Sequence, residues 1–96
     1  MTGFWYLRVR WEHDFADDPV AIVSEIGPDG YERRKVEFFR DGRLGWADEE
    51  HEVGGTGLGQ VVVPPLEEID AQQEFAASRV EATEFDQAWA RATRRL

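Results

Sequence analysis
Between Phe4 and His13 the residues alternate with a period of two. Trp5, Leu7, Val9 and Trp11 fall on one side, and Phe4, Tyr6, Arg8, Arg10 and Glu12 on the other. Only an extended chain gives that pattern one apolar face, so this stretch is a strand. Asp17-Asp18-Pro19 ends the run, because the residue before proline is pushed out of helical space. Val20 to Ile26 is a second strand, with Val20, Ile22 and Ile26 aligned. Gly27-Pro28-Asp29-Gly30 suits a type I turn. Tyr31 to Arg40 is the third strand, Asp41-Gly42 a hairpin signal, and Arg43 to Asp48 the fourth strand. A two-residue loop would pair Arg40 with Arg43 and set Phe38 beside Gly45. A three-residue loop with a bulge at Gly42 pairs Phe39 with Arg43. It places Phe38 beside Leu44 and Val36 beside Trp46. A one-residue slip would turn every side chain over, so burial favours the bulged hairpin.

Gln60 to Val63 reads as a fifth strand, ended by Pro64-Pro65, and Leu66 to Ala71 as a short helix opened by Pro65. Thr83 is the expected cap of a helix from Glu84 to Arg95. Phe85, Ala88, Trp89 and Ala92 form one stripe along it. That stripe is expected to pack on the Trp5/Leu7/Val9/Trp11 face. The expected fold class is α+β: an N-terminal antiparallel sheet of four to five strands, with one short helix and one C-terminal amphipathic helix packed on one face. With 96 residues, the chain is expected to form a single domain over 1–96.

Charge is unevenly spread. The formal net charge is −9, yet residues 1–47 hold nine acidic and seven basic groups. Residues 48–87 hold eleven acidic groups and one basic group, Arg79. Such a chain is a poor general binder of polyanions or anionic membranes. It lacks cysteine, which excludes disulfides and thiolate chemistry and fits a reducing compartment. Only Phe4 to Leu7 are continuously apolar near the N-terminus, too few for a signal peptide. The expectation is a cytoplasmic protein without a membrane segment.

No catalytic constellation stands out, and neither a cofactor nor a bound metal is expected. Gly54-Gly55-Thr56-Gly57-Leu58-Gly59 lacks the Lys-Ser/Thr ending of a phosphate loop and is read as a connector. His13, Asp14, Asp17, Asp18 and His51 have no recognised metal-ligand spacing. Ser24 and Ser78 sit in no nucleophile elbow. The sheet face away from the helix should carry Tyr6, Arg8, Arg10, Arg33, Lys35, Phe39 and Arg43. This basic and aromatic patch stands out on an acidic chain.

The order of short motifs is itself distinctive: Leu7 to Trp11, His13 to Phe15, Pro19-Val20, Ser24 to Gly27, Gly30 to Glu37, Phe39 to Arg43, Gly54 to Gly59, Pro65 to Ile69 and Glu84 to Trp89. It resembles a family of short bacterial single-domain proteins known only as a domain of unknown function. The resemblance implies a stand-alone domain and brings no activity, cofactor or catalytic residue. From the residues themselves, the expected role is a small acidic protein-interaction module of the immunity or antitoxin kind. Its partner would be another, basic protein, met through Asp48, Glu49, Glu50 and Glu52 or through Glu67 to Glu74. The alternatives are nucleic-acid or nucleotide binding on the aromatic and basic face, or a small enzyme or metal protein.

Overall fold
The computed structural model describes residues 3–94. Strands β1 (Trp5–Trp11), β2 (Ala21–Ile26), β3 (Glu32–Phe38) and β4 (Leu44–Ala47) follow one another, and a two-residue β5 (Glu52–Val53) closes that side. Helix α1 (Leu66–Asp70), β6 (Phe75–Val80) and α2 (Ala82–Thr93) complete the chain. The fold is α+β, as expected, with six antiparallel strands in the order β5-β4-β3-β2-β1-β6. No helix among the described residues is long and apolar enough to cross a membrane.

The bulged hairpin forms. Phe38 pairs with Leu44 and Val36 with Trp46. The Phe39 amide donates to the Arg43 carbonyl at 2.9 Å, and Gly42 adopts φ 90°. That conformation suits glycine alone among the residues of the turn.

Two expected elements differ. Residues 60–63 are not a strand: Val61 is 72 % and Val62 51 % exposed, and only the Val63 amide reaches the sheet's end, at Gly30 O. Pro64 and Pro65 supply no amide to extend a ladder. The sixth strand, Phe75–Val80, instead returns along the free edge of β1. Its Phe-Ala-Ala-Ser-Arg-Val sequence alternates too weakly to announce a strand. At the second helix, Thr83 lies inside α2 and Glu81 takes the cap position without a side-chain bond. β6 ends at Val80 and the helix begins at Ala82, so the extended Glu81 is the whole connection. Arg95, expected in the last turn, lies outside the described residues.

The larger correction concerns the faces. Arg8 lies beside Val23, and Val23 beside Val36, so the Val36 face belongs with Tyr6 and Arg8. There α2 packs Phe85 and Ala88 against Val23, Val36 and Trp46. The Leu7/Val9 face, expected to meet α2, takes α1 instead, with Ile26, Val63, Leu66 and Ile69. Both faces therefore carry a small core. Phe85 is fully buried, whereas Trp89 is half-buried, edge-on to Trp46 at 5.1 Å. Phe85→Ala is expected to lower unfolding free energy by about 3–5 kcal/mol, and Trp89→Ala by less, in urea titrations. The reverse order would contradict this packing.

Candidate functional site
The α2 side of the sheet contains one buried charged cluster. By strand parity Glu25 and Arg34 face α2, cross-strand from one another. The Arg34 Nε donates to Glu25 Oε1 at 2.8 Å and its Nη2 to Oε2 at 2.7 Å. The Tyr6 hydroxyl donates to the same Oε2 at 3.1 Å. The guanidinium also lies 4.8 Å from the Phe85 ring centre and 4.9 Å from that of Trp89. The paired hydrogen bonds from Arg34 hold the Glu25 carboxyl below its ordinary range, against the opposing effect of burial. Burial first, and the adjacent carboxylate second, push the Tyr6 hydroxyl up. Glu25 thus stays ionised and Tyr6 protonated near neutral pH. This arrangement fixes the helix on the sheet and offers no group ready to exchange a proton.

On the opposite face the glycine stretch is laid across β3 and β4. Thr56 Oγ1 donates to Glu37 Oε1 at 2.7 Å, and Lys35 Nζ donates to Gly57 O at 3.0 Å. Glu32 accepts from the Gly59 amide at 2.7 Å and from Ser24 Oγ at 3.1 Å, and pairs with Lys35 at 3.1 Å. A Cβ on Gly45 would fall on Thr56 Oγ1, so the strap can approach only a glycine there. Gly54-to-Gly59 is a connector, as read from sequence, and its polar anchors place it against the sheet.

The predicted basic and aromatic patch is divided between faces. Tyr6, Arg8 and Arg10 share the α2 side, and Arg8 is bound to Glu84 at 2.7 Å. Arg33 occupies the register shift between β2 and β3, near Asp29 at 3.1 Å and Glu49 at 3.7 Å. Lys35 faces the strap, largely buried. Phe39 is buried, and Arg43 stacks on it at 4.2 Å. The grouping fails because β3 pairs with β2 so that Arg34 and Val36, not Lys35, share the face of Tyr6 and Val23, and the bulge leaves Arg33 outside the pairing.

The acidic candidates also divide. Asp48 accepts from the Glu50 amide at 2.9 Å and meets the His51 ring at 2.9 Å, and Glu49 leans to Arg33. Glu50 and Glu52 are exposed and have no ion-pair partner among the described residues. The α1–β6 side is less neutralised. Exposed Glu67 and Glu68 lie on α1, and the Glu12 amide donates to Glu74 O at 2.8 Å, joining the end of β1 to the start of β6. None of these four carboxylates has a cation within ion-pair distance among the described residues. Sequence spacing could not reveal the Glu12–Glu74 juxtaposition, because it depends on the unforeseen β6.

His13 and His51 serve separate loops. His13 bridges the Phe15 amide and Pro19 O, and His51 rests on Trp46 at 5.6 Å. Among the described residues, no three His, Asp or Glu side chains are grouped so that they could hold a metal ion. Sequence reading missed Arg34, whose parity with Val36 was the available signal, and Arg91 and Arg94, which line a hollow at the end of α2.

The Glu25 ionisation has a pH consequence. Its folded-state pKa lies below 4.5, so it adds stability that is present above pH 4.5 and lost as pH falls through the folded value. Urea midpoints measured from roughly pH 7 to pH 2 are expected to fall through that window. In Glu25→Gln the midpoint is lower at neutral pH and its acid fall shallower. An acid limb unchanged by the substitution would contradict the assignment.

Comparison with curated proteins and with solved structures finds no match. A family model described as Domain of unknown function (DUF6881) matches residues 5–94, nearly the whole described chain. The chain therefore belongs to that family, and the match runs from the first strand to the end of α2.

Proposed function
We propose that this chain is a non-catalytic protein-interaction module that presents an acidic edge to a basic protein, in the manner of an immunity or antitoxin partner. The observation that carries this reading is the unpaired set Glu12, Glu67, Glu68 and Glu74 beside α1 and β6. Charges that hold the fold are paired, as in Arg34–Glu25, Arg8–Glu84 and Lys35–Glu32. Those near this edge contribute nothing to internal pairing, which leaves them suited to steering a cationic surface. Asp48 to Glu52, at the opposite edge of the sheet beside β4 and β5, is the weaker candidate, since Arg33 and His51 already answer two of its carboxylates. As part of this reading the module acts in a reducing bacterial cytoplasm, which its cysteine-free composition suits. A single-strand nucleic-acid platform has less to recommend it, because α2 lies over the face carrying Tyr6 and Arg8.

The test uses basic proteins encoded beside this chain, measured by surface plasmon resonance. The association rate is expected to fall about tenfold or more between roughly 50 and 500 mM salt. Glu67→Lys/Glu68→Lys/Glu74→Lys is expected to remove most of that steering without changing the melting curve. An association rate indifferent to salt and to charge reversal would overturn the reading.

A further inference from the structure
Between α2 and the sheet runs a groove with an apolar floor and unpaired arginines at one end. Ala21, Val23 and Phe38 form the floor of a hollow of about 330 Å³, and Gln87, Ala88 and Arg91 form its flank. The sheet continues the floor in register, since Arg10 lies beside Ala21, Ala21 beside Phe38, and Phe38 beside Leu44. Leu44, Arg91 and Arg94 then line an adjoining hollow of about 490 Å³. Arg91 borders both, so the two hollows follow one another along the helix.

The charges give this groove a direction. At one end Arg8 is neutralised by Glu84. Toward the other, Arg91 and Arg94 have no ion-pair partner among the described residues; Arg10, cross-strand from Ala21, has none either but lines neither hollow. The helix dipole favours cations near the end of α2, which accounts in part for Arg91 and Arg94. It does not account for Arg10, which comes from β1. It also does not account for the half-buried Phe38 left beneath them. Twenty acidic residues are present, and yet none lies within ion-pair distance of these arginines among the described residues.

We propose that this groove binds a phosphate ester of a flat, apolar body, of the mononucleotide class. The guanidinium groups of Arg91 and Arg94 take the phosphate, for which their planar donor forks are suited. The flat body lies over Phe38 and Ala21, against the neutral end. Hollows of this volume fall in the range that small ligands occupy. The site is separate from the acidic edge and does not rest on the protein-partner reading.

The probe is adenosine monophosphate, titrated into the isotope-labelled protein and followed by amide chemical shifts. Saturable shifts are expected at Ala21, Phe38, Leu44, Ala88 and Arg91. Adenosine and inorganic phosphate, titrated separately, are each expected to bind more weakly. Arg91→Ala/Arg94→Ala is expected to weaken the nucleotide about tenfold or more, the worth of a charged hydrogen bond. Both residues are exposed, so an unchanged melting temperature separates lost binding from lost folding. Glu67→Lys/Glu68→Lys/Glu74→Lys is expected to retain the site, so the two readings fail independently. The proposal is overturned if these amides do not shift, if the double variant binds equally well, or if adenosine or phosphate alone matches the nucleotide.

Discussion

The fold depends on one guanidinium. Arg34 joins a strand to a neighbouring strand through Glu25 and joins the sheet to α2 through the rings of Phe85 and Trp89. Its head is in contact with apolar surface and yet paired with a bidentate carboxylate. This is the condition under which burying a charge is tolerable. Removing one partner of a fully buried pair costs about 3–5 kcal/mol. Arg34 keeps 28 % of its side chain exposed, which places its share below that range. Tyr6 completes the arrangement by donating to the Glu25 oxygen that also receives Nη2. The helix is thereby held in one place along a shallow face that one small apolar core alone would specify weakly.

A six-stranded sheet also has to manage its edges. At one side β5 is only two residues long, and the glycine strap follows it across the sheet. At the other, β6 presents a free row of backbone groups. Residues 75, 77 and 79 point theirs outward, since their pairing partners in β1 direct backbone groups toward β2. Asp70 accepts from the Ala77 amide at 2.9 Å, and Gln72 O accepts from the Phe75 amide at 3.0 Å. Of those three outward amides, that of Arg79 alone has no acceptor among the described residues. A strand with its donors already engaged is a poor template for another chain. α1 is thus more than a cover for Leu7 and Val9, because its last residue also closes the edge.

The parts legible in the sequence were those decided within a few residues. The β3–β4 hairpin was readable because one register buries Val36, Phe38, Leu44 and Trp46 together and the other does not. The α2 stripe was readable because Phe85, Ala88, Trp89 and Ala92 repeat at helical spacing. Which face of β1 that stripe would meet was not readable. Both faces of β1 carry aromatics, and the choice depends on the match of β2 with β3, of Val23 with Val36 and Glu25 with Arg34. β6 was hidden for a related reason. Its Ala-Ala-Ser centre carries little pattern, and its pairing with β1 spans most of the chain. Once those two facts are missed, a candidate site built from parity inherits the error. Lys35 and Arg43 move to one face while Tyr6 and Arg8 remain on the other.

That division changes what the net charge of −9 means. A uniform excess would only keep the molecule soluble. Here the cations inside the fold are matched to carboxylates, so both the unmatched acids and the unmatched arginines are left at the surface. They are left in different places: Glu12, Glu67, Glu68 and Glu74 beside α1 and β6, Arg91 and Arg94 beside the end of α2. At physiological salt the Debye length is about 8 Å. The molecule spans 34 × 33 × 24 Å, several times that length. An approaching ligand therefore senses the local sign rather than the total. The two proposals, a basic protein steered at one edge and a phosphate held at another, are therefore compatible on one acidic molecule, and neither surface needs the other to act.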